Sequence, residues 1–292
     1  MVFSLRDEFK LKDLLNYVGL SKSTYCYWRW KFANPQIKEI DPAEQAILKI
    51  KKQYPNLGYR GVRALLQKSG LRVNHKKIQR IIREHGLQVT CHSSKSRFST
   101  DRGIVGKIAP NRLKRRFGTS VPHQKIVTDT SEFKYYVVDD KGNRRIEKLY
   151  LNPFMDLYNR EIISYTITKH ADVQSMLPAL CKAIEVTVDC EFRRTFHTDQ
   201  GVLYQSKSYQ QHLKDNRIFQ SMSRRGNCHD NAVMECFFGL LKKEIYFGNI
   251  FESFDELRDA IETYIAYYNQ DRIKERLGWM SPVKYRLFNQ AA

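Results

Sequence analysis

From residue 125 onward the chain changes grammar, and that change constrains its fold more than any other feature. KIVTDTSEFKYYVVDD and RIEKLYLNPFMDLY are rich in β-branched and aromatic residues, with KGN as a turn between them. REIISYTITKH reads as a third strand. ADVQSMLPALCKAIEVT then switches to helical spacing, with Met176, Leu177, Leu180, Ala183 and Ile184 on one face. A short strand in RRTFH, a helix in SKSYQQHLKDN, a strand-like FQSMS and an amphipathic helix after the loop SRRGN follow. SFDELRDAIETYIAYYNQDR closes the series as a helix, with Ser253 and Glu256 at capping-box spacing. Three strands, helix, strand, helix, strand, helix predict an α/β core with a mixed sheet and flanking helices.

Ahead of residue 125 the period is helical. LKDLLNYVG places Leu11, Leu14, Leu15 and Val18 on one face with Gly19 as a stop, and Ser21 is an N-cap for KSTYCYWRWK. DPAEQAILKIKKQYP, YRGVRALLQKSG and VNHKKIQRIIREHG predict three more helices, the last capped by Asn74. In that last helix Ile78, Ile81, Ile82 and His85 point one way, while Lys76, Lys77, Gln79, Arg80 and Arg83 cover the other side. A short turn before a basic third helix fits a small all-α helix-turn-helix module with a recognition helix. Residues 91–124 lose periodicity and gain Ser, Gly, Pro and positive charge, Arg115 and Arg116 included. They read as a basic linker that follows nucleic-acid backbone when bound and is mobile otherwise. The expected division is a helical, helix-turn-helix-like segment at 1–38, a helix-turn-helix domain at 39–90, the linker at 91–124, and the α/β core with a C-terminal helical extension at 125–292.

The charge divides the same way. Residues 1–120 hold 26 Lys and Arg against 8 Asp and Glu, and residues 121–292 hold 24 against 23. A well-solvated basic surface would account for the numbers. Clustering of the bases on one helix face favours a polyanion-binding front end. No apolar run reaches membrane-spanning length and no signal-peptide block opens the chain. The six cysteines include no C-x-x-C pair, and neither Cys91-His92 nor Cys228-His229 has a second pair at ligand spacing. A cytoplasmic protein with reduced thiols is expected.

The acids carry the chemistry. Asp129 lies in the first strand between Val127 and Phe133, which should be buried, and Asp199 follows the fourth strand, where Gly201 permits a sharp turn. On the helix of SRRGNCHDNAVMECFFGLLKKE, a period of 3.6 residues makes Met234, Phe238, Leu241 and Ile245 the apolar stripe. Glu235 and Lys242 fall side by side at its edge, and Gly239 leaves that flank open for a strand of DNA. Three converging carboxylates form a hard-oxygen site for Mg²⁺, with Mn²⁺ as a substitute, and two such ions suit phosphoryl transfer. Taken singly, each acid has a surface or capping reading, and Glu132, Asp139, Asp140 and Asp156 compete for that reason; pattern alone does not exclude Asp156. Arg224, Arg225 and Asn227 either contact phosphate or are solvated loop residues, with the two readings evenly balanced. His197 reads as a packed strand residue, and Tyr264, Tyr267 and Tyr268 as core.

VTDTSEF, HTDQGVLYQS and GNCHDNAVMECFFGLLKKE resemble the three acidic motifs of insertion-sequence transposases of the retroviral-integrase superfamily. The match is closest to the two-frame branch, whose second (OrfB-type) frame encodes the catalytic half. Thirty-five residues separate Asp199 from Glu235 and Lys242 lies seven beyond the Glu, spacings typical of that family. YYNQDR and LGWMSPVKYR are similar to its closing signature, and GYRGVRALLQKSGLRVNHKKIQRIIREHGL to its helix-turn-helix segment. Together the motifs cover about residues 10–288. The resemblance implies an RNase-H-like integrase core and a DDE triad of Asp129, Asp199 and Glu235 as catalytic metal ligands. It further implies Lys242 on transposon-end DNA and metal-dependent transfer of 3′ ends by transesterification. Its implied partners are terminal inverted repeats, target DNA, further copies of the chain on nucleoid DNA, and an upstream-frame product. A tryptophan usual three residues before the first acid is Ile126 here, a packing position. With no sustained heptads, the chain reads as the second-frame part alone. A regulator that binds DNA or the full-length transposase without activity of its own is the alternative function, and a purely hydrolytic RNase-H-type nuclease a third.

Overall fold

A computed structural model describes residues 5, 8–34, 41–89, 107–138 and 143–290. Two short helices come first, α1 (Leu11–Val18) and α2 (Lys22–Ala33). Gly19 closes α1 at φ 67°, a conformation that glycine adopts without steric cost, and the Ser21 hydroxyl accepts from the Thr24 N–H at the start of α2. Three helices follow, α3 (Pro42–Gln53), α4 (Tyr59–Lys68) and α5 (His75–Glu84). They close on Ile47, Val62, Leu66, Ile78, Ile81 and Ile82, the three isoleucines of α5 being those that its periodicity predicts. His85 does not join them. The α-helix ends at Glu84, so His85 leaves the apolar face and its Nε2 meets Glu44 Oε1 at 2.8 Å on the surface.

The second body is built on one mixed sheet of β1 (Lys125–Thr128), β2 (Ser131–Val138), β3 (Arg144–Asp156), β4 (Ile162–Thr168), β5 (Thr195–Thr198) and β6 (Phe219–Met222). β1 and β2 pair antiparallel with β3 in a single register, from Ile126 opposite Asp156 to Val138 opposite Arg144, so they form one line with a break at Asp129 and Thr130. The sheet therefore runs β4, β3, β1 with β2, β5, β6, the first three positions antiparallel and β5 and β6 parallel to β1. This is the RNase-H-like arrangement. Sequence pattern predicted one strand through Asp129, and the break is the correction. The expected KGN turn falls largely outside the described residues.

Helices cover both faces. α6 (Val173–Val186) and α8 (Lys207–Asp215) pack on Ile126, Phe154, Phe196 and Met222, with a single helical turn, α7 (Val202–Gln205), between β5 and α8. On the opposite face α9 (Ala232–Leu241) and α10 (Phe254–Gln270) bury Met234, Phe237, Leu241, Leu257 and Ile261 against Val127, Phe133, Leu151 and Met155. Neighbours Ile126 and Val127 thus point to opposite cores, as period-two alternation requires. Ser253 caps α10, and Glu256 reaches back to the Glu252 N–H at 2.8 Å. A last helix, α11 (Pro282–Gln290), ends the described residues.

The basic linker is the second correction. Residues 91–106 lie outside the described residues, but residues 107–124 belong to the core. Leu113 is buried in it, and the Arg112 N–H donates to Ser221 Oγ at 2.9 Å. Phe117 packs on the same side of the sheet as Leu113, and Ile108 and Ala109 on the other, so a few apolar side chains anchor a largely polar segment.

Candidate active site

β1 and β5 are parallel neighbours, with Val127 level with His197, and the next acid on each chain, Asp129 and Asp199, leaves the sheet at the same edge. The pairing puts both carboxylates at the C-terminal end of adjacent strands, two residues past the last shared register pair. Asp129 Oδ1 accepts from the Thr130 N–H at 2.8 Å, and Asp199 Oδ1 accepts from the Gly201 N–H at 2.8 Å. Each acid keeps Oδ2 without a hydrogen bond among the described residues. A Cβ on residue 201 would lie 2.9 Å from Asp199 Oδ1, so glycine there sets where that carboxylate can sit.

Glu235 arrives from above. Asn231 Nδ2 donates to the Thr128 carbonyl at 3.1 Å and so ties the entrance of α9 to the last residue of β1. Met234 and Phe238 anchor the helix in the core, leaving the Glu235 side chain at the exposed edge. The periodicity placed it there, and the structure agrees.

Electrostatics identify these acids as one group. Burial pushes the Asp129 carboxyl up to about 8, the Asp199 charge adds to it, and Glu235 adds further, against the Thr130 N–H and the Lys242 ammonium. Burial also raises Asp199 and Glu235. Lys242 lies inside this group rather than along an outer flank: its Nζ stands 4.9 Å from the Phe133 ring centroid, and burial lowers its pKa while Asp129 and Glu132 oppose. It opens a π-helical turn (Lys242–Tyr246) that continues α9, a wider winding common at functional sites. As the side chains stand, no three His, Cys, Asp or Glu groups among the described residues enclose a metal position. The donor set nevertheless suits a hard divalent cation: two carboxylates with a vacant oxygen each, a third in electrostatic range, and a mutual repulsion that such an ion would relieve.

The competing acids have other employment. Asp156 is buried at the far end of β3, where its oxygens accept from the His123 N–H at 2.9 Å and the Tyr158 N–H at 3.0 Å. Glu132 pairs with Lys148 at 2.9 Å. Asp139 and Asp140 lie outside the described residues.

The basic residues divide. Arg224 binds Asp230 through Nε at 2.9 Å and Nη2 at 3.0 Å, and its own N–H donates to the same carboxylate. Arg115 Nε reaches Asp230 at 3.0 Å, its Nη2 donates to Asn227 Oδ1, and Asn111 donates to Asp230 as well. Arg224, Arg115 and Asn227 therefore brace the loop before α9, a role that neither sequence reading of Arg224 and Asn227 included. Asp230, fully buried and held well below the usual carboxylate range by Arg224, is the residue that sequence reasoning missed. Its signal was an acid just ahead of a helix, behind a pair of arginines. His197 is buried beside it, with Nδ1 2.8 Å from Ser221 Oγ and Nε2 3.0 Å from the Asp230 carbonyl oxygen. Arg225 and Arg116 are exposed.

On α5, Lys76, Arg80 and Arg83 are exposed, with Arg80 3.7 Å from Glu84, while Lys77 binds the N-cap Asp41. A cleft of about 490 Å³ opens between α4 and the turn before α11, lined by Tyr59, Arg60, Arg63, His75 and Trp279, and none of the three acids lines it. Among the described residues no helix is long and apolar enough to cross a membrane.

Known proteins carry the same pattern. An integrase core domain profile matches residues 120–228, a second integrase core domain profile residues 235–289, and an HTH-like domain profile residues 39–95. The chain is 36% identical over 282 residues to a protein of Escherichia coli K12 assigned as the transposase InsK of insertion sequence element IS150, covering 97% of this chain and 95% of that one. It is 42% identical over 216 residues to an uncharacterized transposase-like protein of Haemophilus influenzae, covering 74% of this chain and 94% of its relative. A solved structure of the HTLV-2 integrase catalytic core domain in complex with magnesium aligns at 17% identity with a TM-score of 0.42, covering 56% of this chain and 97% of that one.

Proposed function

The chain belongs to the insertion-sequence transposases that carry an integrase core, and from that premise we propose that it cuts DNA at the ends of its own element and joins the freed 3′-hydroxyl to a target phosphodiester. The observation that carries this reading is the level placement of Asp129 and Asp199 on adjacent parallel strands, with Glu235 in electrostatic range. Asp129, Asp199 and Glu235 would hold Mg²⁺ or Mn²⁺. Such ions activate an attacking oxygen and stabilise a leaving one, which needs no covalent protein intermediate. Asp129 and Asp199 orient their carboxylates through the Thr130 and Gly201 amides. Lys242 supplies a fixed positive charge among them and stands where a DNA phosphate beside the acids would meet it.

The helix-turn-helix of residues 39–90 reads the terminal repeats through the exposed Lys76, Arg80 and Arg83. Arg116 and Arg225 contact phosphate near the core. Copies of the chain assemble on paired ends, alone or with an upstream-frame product.

Incubation with Mg²⁺ and DNA carrying the element's terminal repeats tests this. Nicked and joined strands are expected from the wild type. Asp129→Asn should bind the same DNA and yield neither product. Full activity in that variant overturns the assignment of the site, and products that are cut but never joined overturn strand transfer.

A further inference from the structure

Three cations gather on the far flank of α9, with Asp156 acting on Arg160 and Glu244 on Lys274 only at longer range, as the last-ranked influence on each. Arg160 Nη2 donates to the Phe117 carbonyl oxygen at 2.5 Å, and Arg276 Nη2 donates to the same oxygen at 3.2 Å. Lys274 Nζ donates to the Tyr268 hydroxyl at 2.5 Å. Among the described residues none of the three forms an ion pair, whereas their neighbour Arg272 is neutralised by Glu244 at 2.7 Å.

Two guanidiniums on one carbonyl is an uneconomical way to satisfy it, since a single neutral donor would suffice. Their charges also oppose each other. Burial and then the Arg276 charge lower Arg160 to about 10, and burial followed by Arg272 and Arg160 holds Lys274 well below the usual lysine range. Arg160 is only 7% exposed, and its Nη1 has no hydrogen-bond partner. Charge that is concentrated, mutually repelling and partly unsatisfied is what an anion would stabilise. Arg276 is exposed and Lys274 partly so, which leaves the cluster open on one side, with Arg160 adding charge from behind.

Its place in the fold suggests the anion. Cys236, the residue after Glu235, lies within electrostatic range of both Arg160 and Lys274. The cluster thus adjoins the helix that carries the third acid. We propose that Lys274 and Arg276, backed by Arg160, bind a phosphate of the DNA backbone and hold that strand beside α9. The identity of the ligand as DNA rests on the transposase reading.

The test uses the full chain in metal-free buffer, so that no cleavage occurs, and a fluorescent duplex oligonucleotide titrated at several salt concentrations. Arg276→Gln and Lys274→Gln should each weaken binding several-fold and lower the slope of log K against log salt by about one. Lys214→Gln, an exposed cation on α8, should do much less. Arg160→Gln should weaken binding too, with circular dichroism reporting whether the buried site still folds. Wild-type affinity and slope in both Arg276→Gln and Lys274→Gln overturn the proposal, as does an equal loss in Lys214→Gln. A separate Mg²⁺ cleavage assay of Asp129→Asn, run beside the titration, separates the two readings. If Asp129→Asn cleaves normally, the catalytic assignment fails while a loss in Arg276→Gln still supports the phosphate site; if cleavage follows the triad and Arg276→Gln binds normally, only the phosphate site fails.

Discussion

Extended past Thr128 opposite Phe154, the register shared by β1 and β2 on β3 brings Asp129 level with Pro153. The Leu157 N–H donates to the Lys125 carbonyl at 2.9 Å, and every second residue of β3 faces the same strand, so residue 153 is where the next donors in that row would include one for Asp129. Proline has no N–H to give. The ladder opens at Asp129 and Thr130, and the carboxylate leaves the sheet where Asp199 leaves it.

Pro153→Ala should therefore act on the site more than on stability. A restored ladder bond contributes about 0.5–1.5 kcal/mol, and loss of the proline's restraint on the unfolded chain costs about 0.4–1 kcal/mol. The two nearly offset. Chemical denaturation should find stability within about 1 kcal/mol of wild type, while strand cleavage falls at least several-fold. Unchanged cleavage would separate the proline from the placement of Asp129.

His197 predicts an acid-side loss of stability. Burial lowers its folded pKa to about 4 from an ordinary 6.5. A base held neutral in the fold contributes stability that is complete above 6.5 and is lost as pH falls through about 4. Melting temperature should fall across that window. In His197→Gln, which cannot titrate, the fall should be shallower even though the variant starts from a lower value.

Asp230 should matter for folding before it matters for DNA. Asp230→Asn removes the charge that Arg224 and Arg115 share, and should cost about 1–3 kcal/mol by denaturant titration. Arg224→Gln leaves Asp230 with Arg115 and Asn111, so its cost should be smaller. If Arg224→Gln instead leaves stability unchanged and abolishes DNA binding, Arg224 is a phosphate contact and not a brace.

Gly239 separates fold from DNA passage. A Cβ there meets nothing within 4 Å, and alanine gains roughly 0.5–1 kcal/mol over glycine inside a helix. Gly239→Ala should melt at or above the wild-type temperature. A bulkier Gly239→Gln should keep the fold and weaken end-DNA binding in a gel-shift assay, if DNA lies along this flank.

The order of strands and helices was legible because alternation and helical period survive in single segments such as REIISYTITKH and ADVQSMLPALCKAIEVT. Glu235 was legible for the same reason, its angle to Met234 and Phe238 being a local property of one helix. What needed a partner from elsewhere was not. The break at Asp129 falls level with Pro153, and the duty of Arg115 depends on Asp230, both far along the chain. The membership of residues 107–124 in the core turned on scattered apolar side chains, Leu113 buried and Ile108, Ala109 and Phe117 packed on the two faces of the sheet, that follow no helical or strand period. His85 was misplaced because a periodic pattern continues past the last residue that is actually helical.

The central claim is that Asp129, Asp199 and Glu235 serve one metal site. Mn²⁺ binding, followed by loss of the free-ion electron paramagnetic resonance signal in the presence of end DNA, tests it most directly. Wild-type protein should take up Mn²⁺ tightly, and Asp129→Asn, Asp199→Asn and Glu235→Gln should each lose that uptake by at least tenfold while still binding DNA, with Asp156→Asn retaining it in whatever fraction stays folded. Equal Mn²⁺ uptake by the wild type and all three variants would contradict the account.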